Sequence, residues 1–344
     1  HTSGTTSRPK IVPLTNKNIY SSSLNISKSL SLSEKDHCLN IMPLFHIHGL
    51  IAIIASSMKS GASVCASSGF NALKFLELAK LEKITWYSGV PTMHQTILLR
   101  AEKNLELAKN LNLRLVRSSS ASLPPAVFEK LNKVFNCPVI EAYGMTEATH
   151  QMTSNPLPPK KQKAGFVGIP AGPEVCIMND NYQIMKSGDI GEVCIKGSNV
   201  TSGYENNPEA NESSFSNGWF RTGDQGFFDQ DGYLKISGRL KEIINKGGEK
   251  ISPLEIDNVL MDHPSIEQAV CFGYEDKMLG EDIATAIIVK ESMNFTEEDL
   301  KNYANEKLAK FKVPKKIFFV DEIPKGATGK LQRNTLAKKF GLVN

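Results

Sequence analysis

The sequence predicts an α/β protein with a β-rich subdomain and a small α+β domain, because three patterns follow one another along the chain. Helical and strand-like segments alternate over residues 1–165, which is typical of an α/β domain with a largely parallel sheet. Short β segments between turn clusters fill residues 166–238 and favour a small barrel-like or antiparallel subdomain. Residues 240–344 form a compact α+β pattern, so we expect the domain boundary near residues 239–241.

The elements of the α/β part are predicted from apolar periodicity and from helix-starting prolines. Helices are expected over three segments: 70–83, from Pro91, and 124–135. Strands are expected between them over three short apolar runs: 85–88, 113–117 and 138–142.

The remaining elements are shorter. In the β-rich subdomain strands are expected at 174–178, 191–196 and 233–237, separated by turn clusters at 179–181, 186–189 and 230–232. In the last part, Ser252 with Glu255, and Thr296 with Asp299, each predict a helix that begins with a capping box. Strands 269–274 and 283–289 are expected between these helices.

Composition excludes several classes of protein. The 344 residues are 40% apolar, which is enough for substantial cores, and the formal net charge of +4 is too small to indicate a nucleic-acid coat protein. No apolar run approaches the roughly 18 residues of a membrane span. The six cysteines are scattered without a C-x-x-C pair, which favours reduced thiols in a cytosolic protein. A cytoplasmic protein with no nucleic-acid partner is therefore expected.

Charge is nevertheless uneven along the chain. Residues 301–344 contain 11 basic and three acidic side chains, so this part is distinctly basic. The excess is consistent with a solvated lysine-rich face or with a surface that meets an anionic ligand, and both interpretations stay open. The chain begins with His1 rather than Met, and we expect that position not to be the native start.

The opening string, residues 2–10, has the composition of a phosphate-binding loop. Phosphate oxygens bind backbone N–H groups in a tight loop, hydroxyl donors and a cationic side chain. It is not a Walker loop, which would need Gly at Pro9 and Ser or Thr at Ile11. The alternative is an ordinary flexible Ser/Thr turn. The candidate ligands in this string are Thr2, Ser3, Gly4, Thr5, Thr6 and Lys10.

Four later strings could complete a nucleotide site. Residues 143–147 place Thr146 beside Glu147, a carboxylate that could hold Mg²⁺ on a phosphate. Asp224 lies in a turn and could pair with ribose hydroxyls. The other two strings are residues 238–250, with a glycine pair at the expected boundary, and 324–333, with Lys330 behind a glycine turn. Each is weak alone, whereas their order and spacing are specific.

With these strings in place, the whole chain resembles the acyl-activating adenylate-forming superfamily, which includes 4-coumarate-CoA ligases, luciferases and acetyl-CoA synthetases. Residues 42–50 and 141–155 resemble the oxalyl-CoA synthetase branch. The resemblance implies a large N-terminal domain of α/β sheets and a small barrel, here residues 1–239, hinged to a mobile α+β domain, residues 240–344. It also implies a sizeable segment before residue 1 that is missing here, so this fragment alone is expected to be inactive.

The resemblance further implies ATP, Mg²⁺ and coenzyme A as ligands and assigns roles to individual residues. Residues 2–10 would bind the β- and γ-phosphates, Thr146 the α-phosphate and Glu147 the metal. Tyr143 and Gly144 would contact the nucleotide, and Asp224 and Arg239 would bind its ribose. Lys241 would be the hinge residue. Gly247 and Gly248 would line the tunnel for the pantetheine arm, and Lys330 would be the lysine of the adenylation step. Ser7 and Ile11 stand where the superfamily usually has glycine, which affects the flexibility of the first loop.

The acyl site is expected to be polar. His46, the serines 118–120 and His150 would converge there if the superfamily geometry holds, and hydroxyls and imidazoles suit a second carboxylate. We therefore expect an acid-CoA ligase for a short dicarboxylic acid, oxalate foremost, with free coenzyme A as acceptor because no carrier domain follows Lys330. The alternatives are an aryl or medium-chain acyl-CoA ligase and a non-catalytic adenylate-binding scaffold. His46 and His48 are expected to be pocket-lining and structural rather than zinc ligands.

Overall fold

The computed structural model describes residues 1–2, 9–291, 293, 295–327 and 329–342. The chain divides into two compact units, residues 1–222 with 226–236, and residues 223–225 with 237–344. The hinge expected at Lys241 stays a prediction. Among the described residues, no helix is long and apolar enough to cross a membrane.

A seven-stranded sheet forms the centre of the first unit. Its strand order is β2-β1-β3-β4-β5-β6-β7. Strands β1 to β5 are parallel, β6 is antiparallel to β5, and β7 is antiparallel to β6. The strands are β1 His37–Asn40, β2 Ser63–Ala66, β3 Trp86–Gly89, β4 Leu115–Ser119, β5 Val139–Met145, β6 His150–Ser154 and β7 Ile169–Pro170. The helices are α1 Asn16–Ser29, α2 Ser56–Lys59, α3 Ala72–Leu81, α4 Pro91–Ala101, α5 Leu105–Lys109 and α6 Pro125–Phe135, with a π-helical segment His48–Ala55 before α2.

Apolar side chains of the central strands and the helices form the main core. Trp86, Leu115 and Val139, on three adjacent parallel strands, are completely buried. Helix α6 contributes an amphipathic face that buries Phe128 and Leu131. The central strands begin with buried apolar residues and become polar towards their carboxyl ends, as in Leu115–Ser119, where Arg117, Ser118 and Ser119 follow Leu115 and Val116 and are also completely buried.

The second sheet of the first part corresponds to the expected barrel-like subdomain. Its strands follow the order β10-β11-β9-β8, and β12 pairs with β11. The elements are β8 Glu174–Met178, β9 Gly191–Lys196, α7 Pro208–Ser214, β10 Phe215–Ser216, β11 Trp219–Phe228 and β12 Leu234–Arg239. The α/β fold with a second, β-rich subdomain is thus confirmed.

The second unit is α+β. Its sheet has the order β14-β13-β16-β15, and β17 pairs in parallel with β16. The elements are β13 Ile244–Lys246, β14 Glu249–Ile251, α8 Pro253–Met261, β15 Ile266–Asp276, β16 Gly280–Val289, α9 Glu297–Lys307, β17 Lys316–Phe319 and α10 Leu336–Lys339. Side chains of α8 and of the long β15–β16 hairpin, including Ile256, Leu260 and Ile287, form its core.

The two predicted capping boxes differ in outcome. At α9 the capping box is confirmed, since Asp299 N donates to Thr296 Oγ1 at 3.2 Å and Thr296 N donates to Asp299 Oδ2 at 2.9 Å. At α8 it is wrong, because the Ser252 side chain makes no cap hydrogen bond. The Ser252 hydroxyl instead donates to the carbonyl of Ser237. A tertiary partner has replaced the local one.

Candidate active site

The base of the opening loop is closed by two hydrogen bonds. Thr2 N donates to Lys10 O at 2.9 Å, and Lys10 N donates to Thr2 Oγ1 at 3.0 Å. Of the predicted ligands, Ser3, Gly4, Thr5 and Thr6 lie outside the described residues. The Lys10 ammonium lies 4.3 Å from the centroid of the Tyr204 ring.

The predicted metal and phosphate residues lie in a turn at the carboxyl end of β5. The strand extends through Tyr143 and Gly144 as far as Met145, beyond its predicted end, because β6 returns antiparallel to it. A short 3₁₀ turn then carries Thr146 and Glu147, and Thr149 N closes it by donating to Thr146 O at 2.9 Å.

Gly144 is required by the geometry of this hairpin. The strands approach so closely that a Cβ at Gly144 would lie 1.8 Å from the His150 carbonyl oxygen. The register also shifts between Tyr143 and Gly144, which marks a bulge. Without a side chain at Gly144, the Thr146–Glu147 turn is held directly against the start of β6.

Glu147 is a suitable ligand for Mg²⁺. Glu147 is 6% exposed, and it forms no ion pair with another described residue. Tyr204 Oη donates to Glu147 Oε1 at 2.7 Å, which orients the carboxylate and leaves Oε2 as the oxygen that a cation would take. A carboxylate oxygen is the kind of donor that Mg²⁺ prefers.

A buried polar cluster lies around His48. Its ring is completely buried, with Nδ1 3.0 Å from Ser120 Oγ and Nε2 2.6 Å from Ser88 Oγ. The rings of His48 and His150 have centroids 5.2 Å apart. Burial, and secondarily the neighbouring His150, lower the pKa of His48 well below its usual value, so the imidazole is neutral at pH 7.

Arg117 supplies the positive charge of this cluster. It is completely buried, and it donates from Nη1 to Ser88 Oγ at 3.2 Å and from Nη2 to Gln151 Oε1 at 3.3 Å. Its Nε is buried without a hydrogen-bond partner, and within the described parts of the chain no carboxylate pairs with the guanidinium. Burial lowers the pKa of Arg117 to about 9, so the side chain remains charged at neutral pH.

The structure brings some of the predicted acyl-site residues together and separates others. Ser118 and Ser119 belong to β4 rather than following it, so their side chains alternate between the two faces of the sheet. Ser119 Oγ donates to Ala142 O at 2.8 Å, whereas Ser120 turns towards His48. Half-buried His46 contacts the cluster through Nδ1, which accepts from His48 N at 3.1 Å.

The pattern of residues 2–10 and 143–147 did not reveal His48, Arg117 or Tyr204 as members of a site. Arg117 has the one visible signal, since it is a charged residue inside the predicted apolar strand 113–117. A charge at such a position is buried when the strand is central, and buried charges require a partner.

In the second unit, Asp224 and Arg239 form an ion pair. The turn predicted at Asp224 is wrong, because strand β11 continues through this residue. Arg239 Nε donates to Asp224 Oδ1 at 2.9 Å, and Asp224 is 7% exposed. Gly247 and Gly248 form the turn between β13 and β14 with φ of +60° and +95°, a conformation that favours glycine. Exposed Lys241 lies in the 3₁₀ segment Leu240–Glu242. The ribose, tunnel and hinge roles of these residues stay predictions.

Lys330 is carried by a hairpin that Arg333 anchors. Gly326 N donates to Lys330 O at 2.8 Å, and Arg333 follows directly after the hairpin. The Arg333 guanidinium donates to Asp257 Oδ2 on α8 at 2.7 Å and to Glu242 Oε2 at 3.2 Å. The segment that bears Lys330 is therefore fixed to helix α8 and to the predicted hinge segment.

Among the described residues, no group of three or more His, Cys, Asp or Glu side chains could hold a metal ion.

Comparison with known proteins establishes the family. The pattern of AMP-binding enzymes matches residues 1–205, and that of the AMP-binding enzyme C-terminal domain matches residues 255–330. The chain belongs to the AMP-binding enzyme family. The resemblance recognised in the sequence is thereby confirmed.

Three individual relatives are similar to nearly the whole length of this chain. An oxalate–CoA ligase of Arabidopsis thaliana is 51% identical over 343 residues, which are 99% of this chain and 66% of that relative. The ATP-bound structure of MatB from Rhodopseudomonas palustris matches with a TM-score of 0.92 at 30% identity. The matched region is 98% of this chain and 67% of the MatB chain. O-succinylbenzoate coenzyme A synthetase (MenE) of Bacillus subtilis, in complex with ATP and a magnesium ion, matches with a TM-score of 0.85 at 34% identity. The matched region is 97% of this chain and 68% of the MenE chain.

The chain thus spans slightly less than two thirds of the length of the Arabidopsis relative. The roles of single residues remain those that the sequence predicts.

Proposed function

We propose that the protein is an ATP-dependent acid-CoA ligase that activates a short dicarboxylic acid, oxalate foremost. The observation that carries the choice of acid is buried Arg117, a guanidinium without a carboxylate partner among the described residues, which shares Ser88 Oγ with His48 as a hydrogen-bond partner. The 51%-identical relative named as an oxalate–CoA ligase supports the same choice.

The first half-reaction joins the acid to AMP. A carboxylate oxygen attacks the α-phosphorus of ATP, and pyrophosphate leaves, so the site must reduce the repulsion between two anions. In this proposal Lys10 and the hydroxyls of its loop hold the outer phosphates, Thr146 binds the α-phosphate and Glu147 holds Mg²⁺. When bound, Mg²⁺ supplies charge neutralisation on the phosphate oxygens. Lys330 neutralises the attacking carboxylate.

The second carboxylate of the acid explains the polar cluster. A buried carboxylate without partners costs several kcal/mol, roughly 3 or more, so its site must provide a cation or hydrogen-bond donors. Arg117 provides the cation, and Ser120 and the imidazoles provide donors. An acid with an apolar tail would leave Arg117 buried and uncompensated, which disfavours aryl and medium-chain acids.

The second half-reaction transfers the acyl group to the thiol of coenzyme A. We propose that Lys241 is the pivot about which the second unit changes pose between the half-reactions. The glycines 247 and 248 have no side chains that would obstruct a narrow thiol-bearing arm. Since the chain covers only part of its relatives' length, we expect residues 1–344 alone to show little or no turnover.

ATP–pyrophosphate exchange by the full-length gene product tests this proposal. The acids in the panel are oxalate, malonate, hexanoate and coumarate. We expect exchange with oxalate and AMP release when coenzyme A is added. Preference for hexanoate or coumarate would reject the diacid assignment and favour an aryl or medium-chain ligase. Silence across the panel would instead support a non-catalytic adenylate-binding scaffold.

Two variants test the acyl site directly. Arg117→Met should lower kcat/KM for oxalate by roughly 100-fold or more, because it removes the partner of a buried charge, with little change in KM for ATP. His150→Ala should likewise weaken oxalate use more than ATP binding. Arg100→Met, the same substitution at an exposed position of α4, is the matched control. Unchanged oxalate turnover in Arg117→Met would contradict the assignment.

A further inference from the structure

We propose that Tyr204 is a positioning residue that fixes the Glu147 carboxylate and the Lys10 ammonium in the arrangement that receives a metal-bound triphosphate. This inference rests on the proposed function, because it takes Glu147 as the metal ligand and Lys10 as the phosphate-binding cation. Neither the sequence strings nor the resemblance assigned a role to Tyr204.

The hydroxyl of Tyr204 controls the carboxylate. Its donation to Glu147 Oε1 at 2.7 Å takes place in a nearly buried setting, since both residues are 6% exposed. A carboxylate that is held through one oxygen cannot rotate freely, so its other oxygen points in a constant direction. Hydrogen bonds of this kind to a metal ligand commonly determine how well the metal binds.

The ring of Tyr204 controls the cation. The Lys10 ammonium lies over the ring face, 4.3 Å from the centroid, in the geometry of a cation–π contact. The edge of the ring system is in turn packed against Phe220, with centroids 6.4 Å apart. Hydroxyl and ring therefore act on two residues that are 137 positions apart in the sequence, Lys10 and Glu147.

The backbone of Tyr204 is itself held in place. Tyr204 N donates to Asn211 Oδ1 at 2.7 Å, and Asn211 Nδ2 donates to Tyr204 O at 2.9 Å. The next residue, Glu205, donates from its N to Ile11 O at 3.0 Å, and Thr201 N donates to Glu147 O at 2.8 Å. The segment 201–205 thus bridges the end of the phosphate-type loop and the Glu147 turn through its main chain, and Tyr204 adds the side-chain connection.

The experiment compares two tyrosine-to-phenylalanine variants of the longest gene product. Tyr204→Phe removes the hydroxyl and keeps the ring. Tyr233→Phe is the matched control, because Tyr233 is 8% exposed and its hydroxyl also donates one hydrogen bond, to Lys161 O at 2.7 Å. ATP binding is measured calorimetrically, without acid substrate, over a series of Mg²⁺ concentrations and in the absence of metal.

We expect Tyr204→Phe to need about ten times more Mg²⁺ for half-maximal ATP binding, with the metal-free affinity for ATP unchanged. Tyr233→Phe should behave like the wild type in both measurements. Tyr204→Leu, which also removes the ring face, should additionally weaken metal-free ATP binding through Lys10. Urea unfolding of the two phenylalanine variants checks that they lose similar stability.

The possible failures are distinguishable. If Tyr204→Phe and Tyr233→Phe have the same Mg²⁺ dependence as the wild type, the hydroxyl is structural only and the inference is overturned. The same conclusion follows if Tyr204→Phe weakens ATP binding equally with and without metal. If the wild type binds no ATP at any Mg²⁺ concentration, the proposed function itself is rejected, and the inference with it.

Discussion

Replacement of Glu141 by Gln should remove a large pH dependence from the stability of the first unit. Glu141 lies on β5 and is 1% exposed. Its Oε1 accepts a hydrogen bond from Leu123 N at 3.0 Å, whereas Oε2 is buried without a hydrogen-bond partner. Burial raises the pKa of this carboxyl from 4.5 to about 8.

The magnitude follows from proton linkage. Between pH 4.5 and about 8 the folded protein retains a proton on Glu141 that the unfolded chain has lost, so the free energy of unfolding decreases as the pH rises. At about 1.4 kcal/mol per pH unit the loss is roughly 3 kcal/mol at pH 7, and it reaches about 5 kcal/mol above the folded-state pKa. Below pH 4.5 the carboxyl is protonated in both states and contributes no such loss.

Glu141→Gln retains a carbonyl oxygen for Leu123 N and carries no charge at any of these pH values. We therefore expect the variant to be more stable than the wild type by less than about 1 kcal/mol near pH 5 and by about 3 kcal/mol at pH 7. Urea unfolding at pH 5, 6, 7 and 8 measures the difference. Fluorescence suits the assay because both tryptophans, Trp86 and Trp219, lie in the first unit.

The control is Glu174→Gln at the exposed start of β8, which also removes one carboxylate. A stability difference between wild type and Glu141→Gln that stays constant from pH 5 to 8 would refute the reasoning. It would mean that the buried carboxyl does not retain its proton in the folded protein.

Three further changes have defined outcomes. Lys330→Ala should lower the adenylation rate roughly 100-fold or more while sparing thioester formation from preformed acyl-adenylate, and equal losses in both assays would contradict the proposed division of labour. Arg333→Met should cost the second unit about 3–5 kcal/mol, because it leaves the Asp257 and Glu242 carboxylates without their cation. Adding Asp257→Asn should restore part of that stability, and no recovery in chemical unfolding would argue against the ion pair. Thr296→Ala should lower stability by about 1 kcal/mol through loss of the helix cap, and an unchanged unfolding midpoint would count against it.

Local patterns account for much of the fold. Helices α4 and α6 begin at or beside prolines and bury a regular apolar face, so both were predictable from the chain itself. Helix α1 was not, because its sequence is rich in Ser and Asn, and its buried Ser22 instead donates to Thr149 O at 2.6 Å. Strand β5 ends at Met145 rather than at residue 142, because the returning strand β6 pairs with it.

The same distinction applies to the candidate site. The strings at residues 2–10 and 146–147 are contiguous, so the phosphate-binding role proposed for them is predicted from the local sequence alone. The His48–Ser120 contact joins residues 72 positions apart, and the Tyr204–Glu147 contact joins residues 57 apart. The buried environment of Arg117 likewise depends on Gln151, which lies 34 positions further along. Such partners are set by the topology of the sheet, which the sequence pattern does not specify residue by residue.

The close approach at Gly144 has a consequence for anyone who redesigns this protein for other acids. Any side chain there would push the His150 carbonyl away and displace the Glu147 turn at the same time. A mutant library that varies position 144 would therefore disturb both the turn proposed to bind the nucleotide and the start of the strand that carries His150. Libraries should instead keep this hairpin backbone constant and vary the side chains at positions 48, 117, 120 and 150, which belong to the cluster proposed to receive the acid.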